Sequence, residues 1–420
     1  MAATAPPARR RAATPARAVA YRVLRRVFED GAWADRALQS AAEGLDARER
    51  ALATQLAYGA VQRAGTLDHV AARLARRPMD ELDPPIRAAL RLGLYQLLYL
   101  DGIPDHAAVD SAVALAKRDA PRASGLVNAV LRRATREELA FDDATPAGAA
   151  LAHSVPRWLA ELWFAELGPD EARALLAAVN EPAEAALRAN ALVTTRDALL
   201  AELPGHAAPE DPDAIVLDAP FDAHGDPRFR AGAYQPQSRA SQRVARAVDP
   251  QADERILDLC AAPGGKTTHL AALMGTGEVV AVERDPRRAD GLQRTVKRLR
   301  ADAIVRVETG DATGATGRYD RVLVDPPCSG LGTLQSRPDL RWHARRDAPL
   351  ELQAQMLDAA ARCTKRRLFY STCTISRAEN EAQIAAFLDR HPDFALSDAT
   401  VTLPHRDRTD GFFIAALERA

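Results

Sequence analysis

The sequence predicts a multidomain protein with an all-α N-terminal domain, a small α+β connecting domain and a C-terminal α/β domain with a doubly wound, mostly parallel sheet. Apolar residues before position 138 recur with helical spacing, and no strand pattern interrupts them. From about Asp253, short apolar runs alternate with helical stretches, which is typical of a parallel sheet covered by helices. The length of 420 residues agrees with two to three domains.

The N-terminal part begins with a basic tail over 1–14, which is rich in Ala, Pro and Arg and has the aperiodic pattern of a disordered segment. The all-α domain follows over 15–145. The proline pair at 84–85 marks the start of one helix, because proline is favoured in the first turn. Further helices are expected over 106–117 and 124–137, giving about six or seven in all.

The connecting domain is expected over 146–235. It begins with two helical stretches, 156–166 and 169–180, and then the pattern becomes mixed. Short apolar runs at 186–193 and 214–217, with a helix between them, indicate strands. These features predict a small α+β domain.

The C-terminal domain, 236–420, carries the strand-helix alternation. Ligands of such parallel sheets bind where the strands end. Residues that directly follow the predicted strands are therefore the first place to look for a site. The candidate strands are 255–259, 278–283, 304–308, 321–325 and 367–371.

Composition excludes several classes of protein. Apolar residues make up 47% and charged residues 27%, as in a folded globular chain, and a net charge of −1 allows a nucleic-acid partner without indicating one. Four cysteines without a Cys-x-x-Cys pair predict neither a disulfide framework nor a zinc site. Arg91 and Gln96 interrupt the most apolar stretch, and the basic N-terminus lacks the apolar core of a signal peptide. The chain is therefore expected to be cytoplasmic.

The first candidate motif joins the first predicted strand to a helix through a turn of small residues. Two adjacent glycines let the backbone approach a ligand, and N–H groups at a helix start favour a carboxylate or phosphate. The spacing matches neither a P-loop nor a Gly-x-Gly-x-x-Gly motif, and an ordinary strand-to-helix turn is the alternative. The candidate ligand-binding residues are Cys260, Ala261, Ala262, Pro263, Gly264, Gly265 and Lys266.

Acidic residues close the next two predicted strands. Glu283, about 20 residues after the glycines, could accept hydrogen bonds from both hydroxyls of a ribose. Asp311 could receive an adenine amino group. Either residue alone could equally be a helix cap or a solvated acid. Together, at successive strand ends, they favour a nucleoside ligand.

Two cysteines follow the fourth and fifth predicted strands. Cys328 lies in the loop Asp-Pro-Pro-Cys-Ser-Gly, and Cys373 lies in Ser-Thr-Cys-Thr. A free thiol is intrinsically very nucleophilic, so cysteines at a ligand-binding edge predict chemistry. Cys363, on a predicted helix, and Cys260, on the first strand, are expected to be small buried apolar residues instead.

Four motifs occur in order: DLCAAPGGKTTH, DPPCSGLGT, RPDLRW and YSTCTI. Together they resemble the RNA (cytosine-C5)-methyltransferase family, which uses S-adenosylmethionine. The stretch GLVNAVLR at 125–132 resembles the NusB-like RNA-binding domain, and 156–159 with 188–190 resemble a connecting domain of bacterial 16S ribosomal RNA methyltransferases. The resemblance covers about 15–420. It implies a NusB-like all-α domain and a Rossmann-like methyltransferase domain.

The resemblance also implies roles for individual residues. Cys373 would attack C6 of the cytosine, and Cys328 would assist release of the product. Asp325 would hydrogen-bond the N3/N4 edge of the base while bordering the cofactor site, which favours cytosine over uracil. Lys266 would hold charge near either the base or the cofactor carboxylate. The target is implied to be cytosine 967 of 16S ribosomal RNA, and the base must leave its stack to reach the thiol.

Arginines near an aromatic residue suit phosphate contacts and base stacking. On this ground Arg337, Arg341 and Trp342, the arginines at 345–346, and Arg132 in the first domain are candidate RNA contacts, with a solvated arginine face as the alternative. The expected partner is unassembled 16S ribosomal RNA, and the expected state is a monomer without DNA or membrane partners. Two other functions stay open: the same chemistry on transfer RNA, and a non-catalytic RNA-binding or ribosome-assembly protein.

Overall fold

A computed structural model describes residues 13–343 and 348–420 of the chain. These residues form two compact units. The first unit runs up to Asn180 and includes the segment Ser336–His343, and the second comprises Glu181–Gln335 and the chain from 348 onward. Most of the predicted basic tail and the arginines at 345–346 lie outside the described residues.

The helices follow the predicted spacing closely. In chain order they are α1 (Pro15–Glu29), α2 (Ala34–Ala41), α3 (Ala47–Gln62), α4 (Ala64–Ala75), α5 (Pro84–Tyr99), α6 (Asp105–Asp119), α7 (Ser124–Ala134), α8 (Pro146–Ala152), α9 (Arg157–Leu167), α10 (Pro169–Ala178), α11 (Arg196–Leu200), α12 (Pro227–Arg230), α13 (Arg239–Val248), α14 (Gly265–Met274), α15 (Pro286–Arg298), α16 (Leu340–His343), α17 (Leu350–Cys363), α18 (Glu381–Arg390) and α19 (Pro404–Asp407). None of these described helices is both long and apolar enough to cross a membrane.

The strands form two sheets, both in the second unit. They are β1 (Ala186–Ala189), β2 (Gly205–Ala207), β3 (Ala214–Leu217), β4 (Tyr234–Pro236), β5 (Arg255–Leu259), β6 (Glu278–Glu283), β7 (Val305–Thr309), β8 (Tyr319–Val324), β9 (Thr364–Thr372), β10 (Phe394–Thr402) and β11 (Phe412–Arg419).

Helices α1–α7 pack around one apolar core and confirm the predicted all-α domain. Side chains at helical spacing in α1, including Val19, Val23 and Val27, are buried in that core. Thr14 and Asp46 begin α1 and α3 by accepting hydrogen bonds from backbone N–H groups of the first turn.

The division between the units falls at Asn180, whereas the sequence grouped 146–235 into one domain. The physical reason is that α8 and the turn after it are hydrogen-bonded to α4. The Thr66 hydroxyl on α4 donates to the Leu151 carbonyl at 2.6 Å, and the Ser154 hydroxyl accepts from the Gly65 N–H at 3.0 Å.

The segment Ser336–His343 completes the first unit although it is remote in sequence. The Asp339 carboxylate accepts from the backbone N–H of Ala34 at 2.7 Å and so caps α2, whose own cap residue supplies no side-chain bond. The Trp342 indole donates to the Val61 carbonyl at 2.6 Å near the end of α3. The segment therefore holds the ends of two helices.

The smaller sheet has the order β2-β3-β1-β4, and all its strands are antiparallel. The sequence predicted β1 and β3 but not β2 and β4. Each missed strand has only three residues, which is too short for alternation to be visible.

The larger sheet has the order β10-β11-β9-β8-β5-β6-β7. Strands β5 to β9 are parallel to their neighbours within this group and correspond to the five predicted strands. Helices α13, α14 and α15 cover one face, and α17 and α18 cover the other. The chain runs outward from β5 through β6 and β7, then returns to place β8 on the other side of β5, so ligands are expected at this switch point.

Candidate active site

The glycine turn follows β5 directly. Gly264 has a φ of +102°, in the left-handed region that favours glycine, and a side chain there would lie 2.6 Å from a Leu292 methyl group. Helix α14 starts at the next residue, Gly265, so its first N–H groups lie at the end of the turn. The left-handed backbone and the contact with Leu292 both require a glycine at this position.

Arg188 on β1 supports this turn, and sequence reasoning missed it as a functional residue. Its guanidinium is fully buried and donates to the Gly265 carbonyl, to the Thr268 hydroxyl at 3.0 Å and to the Gln237 side chain at 2.8 Å. Burial lowers its pKa to about 9. The sequence feature that could have indicated its role is an arginine inside an otherwise apolar run. A charged side chain buried there needs several hydrogen-bond partners to offset the cost of desolvation.

Glu283 ends β6 with its side chain almost completely buried, only 3% exposed. One carboxylate oxygen accepts from the Asp285 N–H at 2.9 Å. The other has no hydrogen-bond partner among the described residues, although the Arg288 guanidinium lies 3.4 Å away. Helix α15 is capped by Asp285 instead. A buried acceptor without a partner fits a ligand hydroxyl, such as one on a ribose.

Asp311 follows β7 and is exposed. One of its oxygens accepts from the Thr313 N–H at 2.9 Å and from the Thr313 hydroxyl at 2.8 Å, and these bonds hold its pKa below the usual value. The carboxylate therefore caps the short 3₁₀ turn Ala312–Gly314. Its contact with an adenine amino group stays a prediction.

Asp325 and Lys266 meet at the ends of β8 and β5. The lysine ammonium donates to Asp325 at 2.6 Å, and the Ser371 hydroxyl donates to the other carboxylate oxygen at 3.1 Å. Burial lowers the pKa of Lys266, but the charge and hydrogen bond of Asp325 outweigh burial and leave it raised. The ammonium also lies 5.2 Å from the centre of the Phe412 ring. This ion pair places a positive and a negative charge at the carboxyl ends of the central strands β5 and β8.

The structure brings Cys328 and Cys373 together, with their sulfur atoms 3.4 Å apart. They follow the adjacent parallel strands β8 and β9, and both thiols are free. The hydrogen bond from Cys328 lowers the pKa of Cys373 in spite of its burial. The same bond, together with burial, raises the pKa of Cys328 well above that of an ordinary thiol. The pair therefore places the more acidic, more nucleophilic sulfur on Cys373.

The other two cysteines lie apart from this pair. Cys260 follows β5 rather than lying on it, and its sulfur is 3.7 Å from that of Met356. Burial raises its pKa to about 12. Cys363 ends α17 with 1% of its surface exposed, and burial raises its pKa as well. The thiol pKa of both cysteines therefore lies above that of an ordinary cysteine.

Sequence reasoning also missed Glu379, which is buried behind the two cysteine loops. It accepts hydrogen bonds from Ser329 and Thr374, the residues that follow the two cysteines. A visible signal was an acidic residue six positions after Cys373 in a polar stretch that precedes a helix. Nothing in its spacing indicated that it would be buried.

The four candidate RNA contacts that lie among the described residues belong to the first unit and are found in different settings. Arg341 is fully buried and donates to the carbonyls of Ser154 at 3.1 Å and Val179 at 3.2 Å, so its prediction as an RNA contact is corrected to a packing role. Trp342 is half-buried. Arg337 and Arg132 are exposed, which keeps both accessible to a polyanion.

Three family models match consecutive parts of the chain. They are described as the NusB family over 14–136, a ferredoxin-like domain of RsmF/B-like methyltransferases over 155–224, and the 16S rRNA methyltransferase RsmB/F over 245–418. These ranges lie close to the three domains that the sequence predicts. The solved structure of PH0851 covers 97% of this chain and 99% of its own, with 27% identity and a TM-score of 0.83.

Curated relatives match over nearly the whole length. A probable ribosomal RNA small subunit methyltransferase B from Synechocystis is 38% identical, with 96% of this chain and 99% of the relative covered. The ribosomal RNA small subunit methyltransferase B of Cronobacter sakazakii is 35% identical over 96% of this chain and 98% of its own. On this similarity and the three matching models, the chain belongs to the ribosomal RNA small subunit methyltransferase B family.

Proposed function

We propose that this protein transfers a methyl group from S-adenosylmethionine to C5 of a cytosine in 16S ribosomal RNA, through a covalent bond between Cys373 and C6 of the base. Membership of the family supports the coarser statement, an S-adenosylmethionine-dependent methyltransferase of small-subunit ribosomal RNA. The contact between the Cys373 and Cys328 sulfurs supports the finer one.

The site residues fit the cofactor. The Glu283 oxygen that has no hydrogen-bond partner among the described residues suits a ribose hydroxyl, and the glycine turn leads directly into the first N–H groups of α14. Asp311 is proposed to contact the adenine. The turn residues before α14 are proposed to border the methionine part, because the N–H groups of a helix start favour its carboxylate. When bound, the cofactor supplies a methyl group on a positively charged sulfur.

The Cys373 thiolate overcomes the low nucleophilicity of C5. Its addition to C6 forms a carbon–sulfur bond and makes C5 an enamine-like carbon that can take up the methyl group. Asp325 is proposed to hold the N3/N4 edge of the base, where uracil presents a carbonyl in place of the amino donor. Lys266 holds this carboxylate in place.

Release requires loss of the C5 proton and breakage of the bond between carbon and sulfur. A base takes up the C5 proton, while Cys328, whose pKa is raised and whose sulfur touches that of Cys373, is placed to donate a hydrogen bond to the departing sulfur. The leaving sulfur departs as the thiolate that its lowered pKa favours. The two cysteines thus divide attack and release between them.

The proposal is tested with methyl-labelled S-adenosylmethionine and three substrates: naked 16S transcript, 30S subunits and bulk transfer RNA. Label recovered as 5-methylcytosine from 16S RNA supports both reaction and substrate, and preference for naked transcript places the step before assembly. Mapping the labelled nucleotide tests the cytosine at 967. Label only in transfer RNA, or in another nucleoside, would overturn the substrate or the reaction respectively.

A further inference from the structure

Glu379 lies between the loops that carry the two cysteines and is only 1% exposed. One carboxylate oxygen accepts from the Ser329 N–H at 2.9 Å. The other accepts from the Ser329 hydroxyl and from the Thr374 hydroxyl, the latter at 3.3 Å. Since Ser329 follows Cys328 and Thr374 follows Cys373, one carboxylate holds the residue next to each thiol.

The two loops also touch each other directly. The Ser329 and Thr374 hydroxyl oxygens are 2.6 Å apart. The Gln353 amide on α17 donates both to Glu379 and to the Pro327 carbonyl, each at 3.0 Å. Donors from three segments thus converge on the two carboxylate oxygens of Glu379.

Glu379 and the Cys373 loop are themselves held by backbone contacts. The buried Tyr370 hydroxyl donates to the Glu379 carbonyl at 2.8 Å. The Gly332 N–H donates to the Cys373 carbonyl at 3.0 Å, and the Asn380 side chain donates to the Thr374 carbonyl at 3.1 Å. The carboxylate is therefore a fixed support rather than a mobile surface charge.

The charge of Glu379 acts on the Cys328 thiol. The hydrogen bond to Cys373 and burial raise the pKa of Cys328, and the negative charges of Cys373, Glu379 and Asp325 add to that rise. The largest influence on the pKa of Cys373 is the hydrogen bond from Cys328, which lowers it. Glu379 thus favours retention of the proton on Cys328.

We propose that Glu379 is a positioning residue that sets both the contact between the two thiols and the division of roles between them. It holds Cys328 against Cys373 through Ser329 and Thr374, and its charge keeps Cys328 as the hydrogen-bond donor. The proposal rests on the proposed function, in which Cys373 attacks and Cys328 assists release.

Two variants separate the effect of the Glu379 charge from the effect of its side-chain length. Glu379→Gln keeps the shape but removes the charge, and Glu379→Asp keeps the charge but shortens the side chain. Glu254→Gln is the matched control, because Glu254 pairs with Arg321 at 2.7 Å before β5, at the opposite end of the strands. Each protein is assayed for S-adenosylmethionine binding, single-turnover methylation and alkylation of each cysteine against pH, read by mass spectrometry.

For Glu379→Gln we expect cofactor affinity within about twofold of the unmodified protein and methylation reduced by about 100-fold, the scale of a 1 Å misplacement. Alkylation of Cys328 should begin at lower pH, and the preference for alkylation of Cys373 over Cys328 should fall. Glu379→Asp should keep more of this preference than Glu379→Gln while losing turnover.

Unchanged methylation and unchanged cysteine preference in Glu379→Gln, as in Glu254→Gln, would overturn the proposal. If Glu379→Gln does not fold, Ser329→Ala and Thr374→Val remove the same contacts one at a time, and normal alkylation preference in both would overturn it equally. Failure of the proposed function is seen separately, as methylation by Cys373→Ala or as label in a base other than cytosine in the unmodified protein.

Discussion

The two cysteines differ in chemistry although their sulfurs touch. Replacing Cys373 by Ala removes the attacking sulfur, so we expect no methyl transfer, measured as label in RNA. Replacing Cys328 by Ala keeps the attacking sulfur, although it removes the hydrogen bond that lowers its pKa, and it slows release more than attack, so a protein–RNA adduct that survives denaturing electrophoresis should accumulate. Cys363→Ala, a buried thiol on α17, is the control and should retain turnover. Robust turnover by Cys373→Ala would contradict the mechanism.

Glu283 offers a second test at a single residue. Glu283→Gln keeps the volume but weakens acceptance at the oxygen that has no partner among the described residues. Because a hydrogen bond to a charged group contributes about 1.5–3 kcal/mol, cofactor affinity should fall by about 10- to 100-fold. Isothermal titration measures this change, with Glu278→Gln at the opposite end of the same strand as control. Equal affinities in both variants would exclude Glu283 from the ribose site.

At the scale of elements, the sequence predicted the parallel strands well because each is a short apolar run between helices. Strands β5 and β6 have the predicted bounds. The antiparallel strands β10 and β11 were missed. Seven consecutive residues of β10 are exposed, so it has no buried alternation, whereas six of β11 are buried in a row and give no period either.

The candidate site was predicted where chemistry follows a strand, and missed where it depends on tertiary packing. Cys328, Cys373, Asp325 and Lys266 all come from motifs at strand ends, and register brings them together: Leu259 on β5 pairs with Val324 on β8. Glu379 and Arg188 act through partners that are far away in the sequence. The spacing of neighbouring residues in the sequence carries no information about such contacts.

Arg188 yields a prediction about the connection between β1 and the glycine turn. Arg188→Met removes donors to Gly265, Gln237 and Thr268 while keeping an apolar stem. We expect weaker cofactor binding, by about tenfold, because about 1.4 kcal/mol of lost preorganisation corresponds to that factor. Arg196→Met, on the short helix that follows β1, is the control, and equal cofactor affinity in the two variants would contradict a supporting role.

At the scale of the whole molecule, the first unit depends on a segment far along the chain. Arg341→Leu leaves the Ser154 and Val179 carbonyls without these donors, which should lower the free energy of unfolding of that unit by about 3 kcal/mol. The four tryptophans all belong to this unit, so their fluorescence in urea reports it selectively. The exposed Arg132→Leu is the control, expected within about 0.5 kcal/mol of the unmodified protein.

The discontinuity of the first unit also bears on how it forms during synthesis. A ribosome delivers the chain from its N-terminus, so the helices up to Asn180 emerge long before Ser336–His343. Until residues Glu181–Gln335 have been synthesised, the Val179 and Val61 carbonyls, which accept from Arg341 and Trp342 in the folded protein, remain open to solvent. A protein truncated after Asn180 would therefore lack the segment Ser336–His343 that completes the first unit. The first unit cannot be complete unless the chain of the second unit is made as well.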